Sequence, residues 1–272
     1  MIVKHNMTAL NANRQLGVTN SNLAKSTEKL SSGYRINRAA DDAAGLSISE
    51  KMRGQIRGLN QASTNAQDGQ SLIQTAEGAM GEIHSVLQRM RELTVQAAND
   101  TNVTADRKAI AKEVTALTEE IDRIATQTQF NTMNLLDGNF TNKNLQVGAN
   151  EKQAIKISIM SLKSADLQVN NVKTKLGSHD DATAQITIVN KAIETVSDQR
   201  SHLGALQNRL DHTIANADNM AENLQSSESK IRDVNMASEM VAYSANSIIQ
   251  QAGQSMLAQA NQATQGVLSL LR

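Results

Sequence analysis

Apolar residues recur at helical spacing along most of this chain. Near the N-terminus Ile2, Ala9, Leu16, Leu23 and Leu30 fall seven residues apart, with Val3, Leu10, Gly17 and Ala24 as a companion row. One apolar stripe on one helix accounts for both rows, and Ser31-Ser32-Gly33 marks its end. A second stripe comprises Leu59, Ala62, Ala66, Gly69, Ile73, Ala76, Met80, Ile83, Leu87, Met90, Thr94 and Ala97. Its steps alternate between three and four, as in a coiled-coil seam. Carried back to Ile48, it predicts a helix of about 50 residues, roughly 75 Å long at 1.5 Å per residue. A third helix is expected after Thr104, read as its N-cap, on Ile110, Val114, Leu117, Ile121 and Ile124.

From Phe130 to about Gly177 the helical pattern is lost. Asp137-Gly138 has the composition of a hairpin turn, and Ile155, Ile157 and Ile159 alternate at period two. One or two β-hairpins are expected here, with a poorly defined loop from Lys173 to Asp181. Asp180 or Asp181 is suited to cap the next helix, on Ile186, Val189, Ile193, Val196, Leu203, Leu210, Ala217 and Leu224, with polar breaks at Gln199 and Arg200. Ser226-Ser227-Glu228-Ser229 reads as an interruption. The last stripe then runs Ile231, Val234, Ala237, Val241, Ala245, Ile248, Ala252, Met256, Ala260, Ala263, Val267 and Leu270.

Single-stripe helices must bury that stripe. The first and last helices are both terminal and both amphipathic, so they are expected to pair. The predicted class is mainly α: a long-helix coiled-coil bundle with paired N- and C-terminal helices and a small β-hairpin region in the middle. The terminal seam is placed on Leu16, Leu23 and Leu30 of one helix and Val241, Ile248, Met256, Val267 and Leu270 of the other. Residues 1–44 with 230–272 form one domain, and 45–229 a second carrying hairpins at about 130–178. Two helices alone bury little apolar surface. Further copies of the chain are therefore expected to cover the rest.

Composition fits that picture. The chain has no proline, where average usage would give roughly 14, and proline breaks helix interiors. Two Tyr, two Phe and no Trp leave few aromatics for the walls of a small-molecule pocket. The absence of cysteine excludes disulfides, thiol catalysis and cysteine-ligated zinc. The balance of 27 basic and 27 acidic residues gives no footprint for nucleic acid. The first twenty residues hold no apolar run of signal-peptide length, and no stretch is apolar enough to insert in a membrane.

No phosphate loop, G-x-S-x-G or H-E-x-x-H occurs. His179-Asp180-Asp181 reads as a polar loop entering a helix, not a metal site. His202 and His212, ten residues apart, are too widely spread to share a ligand. The methionines on helical stripes read as core filling. The N-x-S/T matches at Asn6, Asn102 and Asn139 carry little weight. No catalytic residue, metal or cofactor is expected.

Residues 29–48 (KLSSGYRINRAADDAAGLSI) strongly resemble the N-terminal fingerprint of bacterial flagellins. Residues 250–262 (QQAGQSMLAQANQ) and 267–272 (VLSLLR) resemble the other end of that family. Residues 87–96 (LQRMRELTVQ) and 127–131 (QTQFN) add two further matches. The likeness spans roughly residues 1–160 and 186–272. It implies a structural subunit of the extracellular flagellar filament, a helical homopolymer exported unfolded through the flagellar type III channel. It also implies an export chaperone, a filament cap and hook-junction proteins as partners. Many flagellins carry large outer domains in the middle; only about 45 residues lie outside the helical pattern here. A short flagellin is therefore expected, the alternative being a minor flagellin or a hook–filament junction protein.

The resemblance also implies recognition by a vertebrate flagellin-sensing Toll-like receptor, on a surface that maps onto Arg89, Leu93 and Glu113. Arg89 and Leu93, four apart, share a helix face. By spacing Arg89 and Glu113 point outward, while Leu93 borders the apolar stripe and is more naturally buried.

Overall fold

With no proline to interrupt them, the stripes become continuous helices. The computed structural model describes residues 5–270, with side chains through Gln262. Its long helices are α1 (Met7–Ser32), α2 (Ala43–Ala97), α3 (Thr104–Gln127), α4 (His179–Arg232) and α5 (Met236–Leu270). The chain divides into two units, Met1–Gln55 with Asn223–Arg272, and Ile56–Glu222; α2 and α4 contribute to both.

The larger unit is built on the α2 seam, of which every predicted position from Leu59 to Ala97 is buried. Against it lie Ile110, Val114, Ile121 and Ala125 of α3 and Val189, Val196, Leu203 and Leu210 of α4. Thr94 and Thr118 are admitted to this core because their hydroxyls donate to the carbonyls of Met90 and Val114 one turn back, at 2.9 and 2.8 Å. Polar contacts set the antiparallel register of α2 and α4. Gln70 donates to Asp211 at 3.1 Å, and Glu77 faces Gln207 at 3.4 Å and Arg200 at 3.6 Å.

Two hairpins follow α3. Strands β1 (Gln129–Phe130) and β2 (Met133–Asn134) turn at Asn131-Thr132, both at positive φ, 47° and 63°. This is the geometry of a type I′ turn. Asp137-Gly138 does not close a hairpin. Its Asp137 carboxylate accepts the Asn139 N–H at 2.9 Å, and the chain goes on to Phe140, whose carbonyl accepts from Ile159. The second hairpin pairs β3 (Lys143–Gln146) with β4 (Ala154–Ile157) and lies on α2. A Cβ at Gly69 would meet Leu145 Cδ2 at 2.3 Å, so a larger residue there would force the Leu145 side chain to shift. Lys143, Lys152 and Lys156 are exposed along this hairpin and discourage strand addition at its edges.

Several boundaries differ from expectation. The N-cap of α3 is Val103, and Asp106 reaches back to accept its N–H at 3.2 Å. Residues 173–181 are not loose: a 3₁₀ turn over Val172–Thr174 leads to α4, with Val172 and Leu176 buried. Asp180 and Asp181 sit inside the first turn of α4, where they act on the helix dipole. The serines at 226–229 do not break α4, since Ser227 donates back to the Asn223 carbonyl at 2.8 Å and the helix continues to Arg232.

Leu87 is fully enclosed. Leu87→Ala should therefore cost the larger unit about 2–5 kcal/mol, measured by urea denaturation. Exposed Val241→Ala should stay within about 0.5 kcal/mol.

Candidate assembly surface

Two heptad rows form the contact between α1 and α5 on each side. On α1 they are Ala12, Thr19 and Ser26, and Leu16, Leu23 and Leu30; Thr19 and Ser26 are buried and the others half-buried. On α5 they are Glu239, Asn246, Gly253 and Ala260, and Tyr243, Gln250 and Leu257, all half-buried. The seam is thus largely small and polar. Its helices come close: a Cβ on Gly253 would lie 3.2 Å from Leu16 Cδ1.

The partner of Leu16, Leu23 and Leu30 is therefore not the expected row. Val241, Ile248 and Met256 are 70%, 67% and 61% exposed and face away from α1. Apolar spacing located a stripe on α5 but could not say which face meets the chain's own N-terminus, because the meeting face is polar. The signal was present as the sevenfold spacing of Glu239, Asn246, Gly253 and Ala260. Val267 and Leu270 lie outside the residues with described side chains, as do Ile2 and Val3. The outer side of α1 is apolar too, with Met7 and Leu10 66% and 59% exposed.

Polar contacts fix the pair along its length. The Asn6 amide donates to the Ala260 carbonyl at 3.0 Å, and Gln250 donates to Asn20 at 2.7 Å. Lys29 stands 4.0 Å from Glu239. At the base Gly33, at φ 74°, ends α1 and its N–H donates to the Lys29 carbonyl at 2.9 Å. The chain then makes one antiparallel β-bridge, Tyr34 with Asp233. Val234 N–H donates to the Gly33 carbonyl at 3.0 Å, and Arg35 N–H to the Arg232 carbonyl at 2.6 Å. The Arg232 guanidinium stacks 4.9 Å above the Tyr34 ring. Beside it, Ser49 donates to Glu228 at 2.8 Å.

The motif residues after this bridge build a tight turn. Asp41 accepts the N–H groups of Arg38 and Asn37 at 3.0 and 3.1 Å, and Asp42 accepts that of Gly45 at 2.8 Å, starting α2. Ile36 is buried under the turn. The backbone N–H groups of Arg38 and then Asn37 hold the Asp41 carboxyl below the usual carboxylate range.

In the larger unit, Arg89 bridges α2 and α3. Its Nε and one terminal nitrogen reach Glu113 Oε1 at 3.1 and 2.9 Å, and the other reaches Glu92 at 2.9 Å. Arg89 and Glu113 are half-exposed, but Leu93 is 1% exposed and belongs to the core. Leu93 therefore presents nothing to a partner. His179 does not join a ligand set: its Nδ1 lies 2.6 Å from the Ala98 carbonyl. Among the described residues no group of three or more His, Asp or Glu side chains could hold a metal, and no helix is long and apolar enough to cross a membrane.

Two family models match the chain. That for the bacterial flagellin N-terminal helical region covers residues 3–141, and that for the C-terminal helical region covers residues 186–271. The chain belongs to the bacterial flagellin family. It is similar to the flagellin of Halalkalibacterium halodurans, 53% identical over 272 residues and all of both chains. It is also similar to that of Bacillus subtilis strain 168, 50% identical over 304 residues and all of both chains. A solved structure described as a flagellar hook-associated protein from Vibrio parahaemolyticus aligns with TM-score 0.61 at 11% identity. It covers 71% of this chain and all of that one, which shows a shared fold and no more. As a flagellin, the chain is a structural subunit of the extracellular flagellar filament and not an enzyme.

The Asp41 turn should be pH-sensitive. Because its folded pKa lies below the unfolded one, its stabilisation is complete at neutral pH and is lost as pH falls below about 4. Hydrogen exchange should show the Asn37 and Arg38 amides losing protection over that window. In Asp41→Asn they should be less protected at pH 7 and show no such step.

Proposed function

We propose that this flagellin polymerises by burying the outer faces of α1 and α5 against other copies of itself, and that it is a major filament subunit. The observation that carries the reading is the inversion of the terminal pair. Between the two helices α5 presents mostly polar and small residues to Leu16, Leu23 and Leu30, while its Val241, Ile248 and Met256 lie outside. Each such side chain gains about 1.5–3 kcal/mol when fully buried. A pair stable in isolation would turn these residues inward. Identical copies offer identical unfilled stripes, so homopolymer formation satisfies them all.

Val241→Asp/Ile248→Asp should abolish seeded polymerisation, seen by negative-stain microscopy, while circular dichroism of the monomer stays unchanged. Normal filaments from this variant would rule the surface out.

Export in unfolded form, with an export chaperone, a distal cap and hook-junction proteins as partners, is part of the same proposal and is drawn from the family resemblance. The absence of cysteine and proline supports it, because a rethreaded chain then meets neither mispaired disulfides nor slow prolyl isomerisation. The alternative role, as a minor flagellin or hook–filament junction protein, would give a chain that does not by itself form long filaments from added seeds.

The family's recognition by a host Toll-like receptor is proposed for the Arg89–Glu113 surface alone, without the buried Leu93. The guanidinium is held by Glu113 first and Glu92 second, which presents it in one orientation. Arg89→Ala/Glu113→Ala should weaken receptor binding of monomers by about 1–3 kcal/mol. Equal affinity of the two monomers in a titration would exclude the site.

A further inference from the structure

All the sulfur in this chain is thioether sulfur, in 11 methionines and no cysteine. The methionines are not uniformly placed. Met80 and Met90 are 0% exposed in the core of the larger unit, whereas Met7, Met236, Met240 and Met256 are 66%, 49%, 49% and 61% exposed. These four lie on the terminal helix pair. Met256 continues the outer stripe of Val241, Ile248 and Ala252, and Met236 and Met240, one turn apart, flank its start. Leucine would give these positions similar apolar area without an oxidisable atom.

We propose that Met7, Met236, Met240 and Met256 form an oxidation-sensitive patch through which a peroxide-class oxidant blocks addition of free subunits to the filament. The step is a two-electron oxygen transfer. The thioether sulfur attacks the peroxide, the O–O bond breaks, the sulfur is oxidised to a sulfoxide, and hydrogen peroxide is reduced to water. A sulfoxide places a strong acceptor on a surface that assembly covers, and burying it unpaired is costly. Sulfur atoms enclosed in the core are shielded. So are those covered by neighbouring copies in a filament, which makes the free subunit the vulnerable form. The proposal rests on the assembly surface described above.

The test treats monomers with dilute hydrogen peroxide, maps sulfoxides by peptide mass spectrometry and measures elongation from untreated seeds. The four patch methionines should oxidise well ahead of Met80 and Met90. Elongation should then fall at least about tenfold, the factor implied by one buried, unpaired polar group. The Met7→Leu/Met236→Leu/Met240→Leu/Met256→Leu chain should elongate after the same treatment as before it, although exposed Met133, Met160 and Met220 remain oxidisable. Untreated wild type that does not add to seeds would overturn the assembly reading itself. Oxidised wild type that elongates at the untreated rate, equal oxidation of Met80 and Met256, or a leucine variant slowed as much as wild type would each overturn the redox proposal alone. If the leucine variant fails to polymerise untreated, methionine sulfoxide reductase decides: restored elongation of oxidised wild type supports the proposal, and unrestored elongation overturns it.

Discussion

The terminal helix pair depends on register, and side-chain volume does little to supply it. Leu16, Leu23, Leu30 and Leu257 are the larger aliphatic side chains of the seam. The alanine, glycine, serine and asparagine around them give shallow knobs and holes, so packing resists sliding by one turn only weakly. Directional contacts supply what packing lacks. Asn6 with Ala260, Asn20 with Gln250, Lys29 with Glu239 and Tyr34 with Asp233 all obey one antiparallel alignment. The bridge at the base is the firmest of them. Its backbone hydrogen bonds hold whatever the neighbouring side chains do, and the stacked Arg232 shields one side. With the register fixed, the heptad rows inside and the aliphatic row outside follow from helix geometry.

On α5 this arrangement reverses the usual allocation of residues in a two-helix pair. Normally the larger apolar side chains define the internal seam and polar ones face water. Here α1 keeps Leu16, Leu23 and Leu30 inside, but α5 meets them mostly with small and polar residues and leaves Val241, Ile248 and Met256 outside. The larger unit follows the ordinary rule. Its α2 seam of Ile73, Met80, Ile83, Leu87 and Met90 is fully enclosed, and its polar contacts lie at the margins. One chain thus joins a unit that satisfies its own apolar surface to one that does not.

Much of this was legible in the sequence where apolar periodicity and burial coincide. The α2 stripe was readable to the residue, because each three- or four-residue step meets an enclosing neighbour. The orientation of α5 was not, since Val241, Ile248 and Met256 form the stronger apolar row and Glu239, Asn246 and Gln250 hide the seam. Turn chemistry also misled. Asp137-Gly138 has the more familiar hairpin composition, yet Asn131-Thr132 takes the tight turn despite the penalty for threonine at positive φ. The serines at 226–229 looked like a break, but serine can return its hydroxyl to the helix backbone. Of the Arg89, Leu93 and Glu113 trio, spacing correctly left Leu93 inside, and no local pattern foretold that Arg89 and Glu113 would bond across two helices.

The bridge at Tyr34 and Asp233 also joins segments that are remote in the chain. Arg35 reaches the Ile231 carbonyl across 196 positions of sequence, and Asn6 reaches Ala260 across 254. Contacts so distant in sequence are slow to form, since the ends of a long flexible segment must first meet. The terminal pair thus joins the described segments that lie furthest apart along the chain.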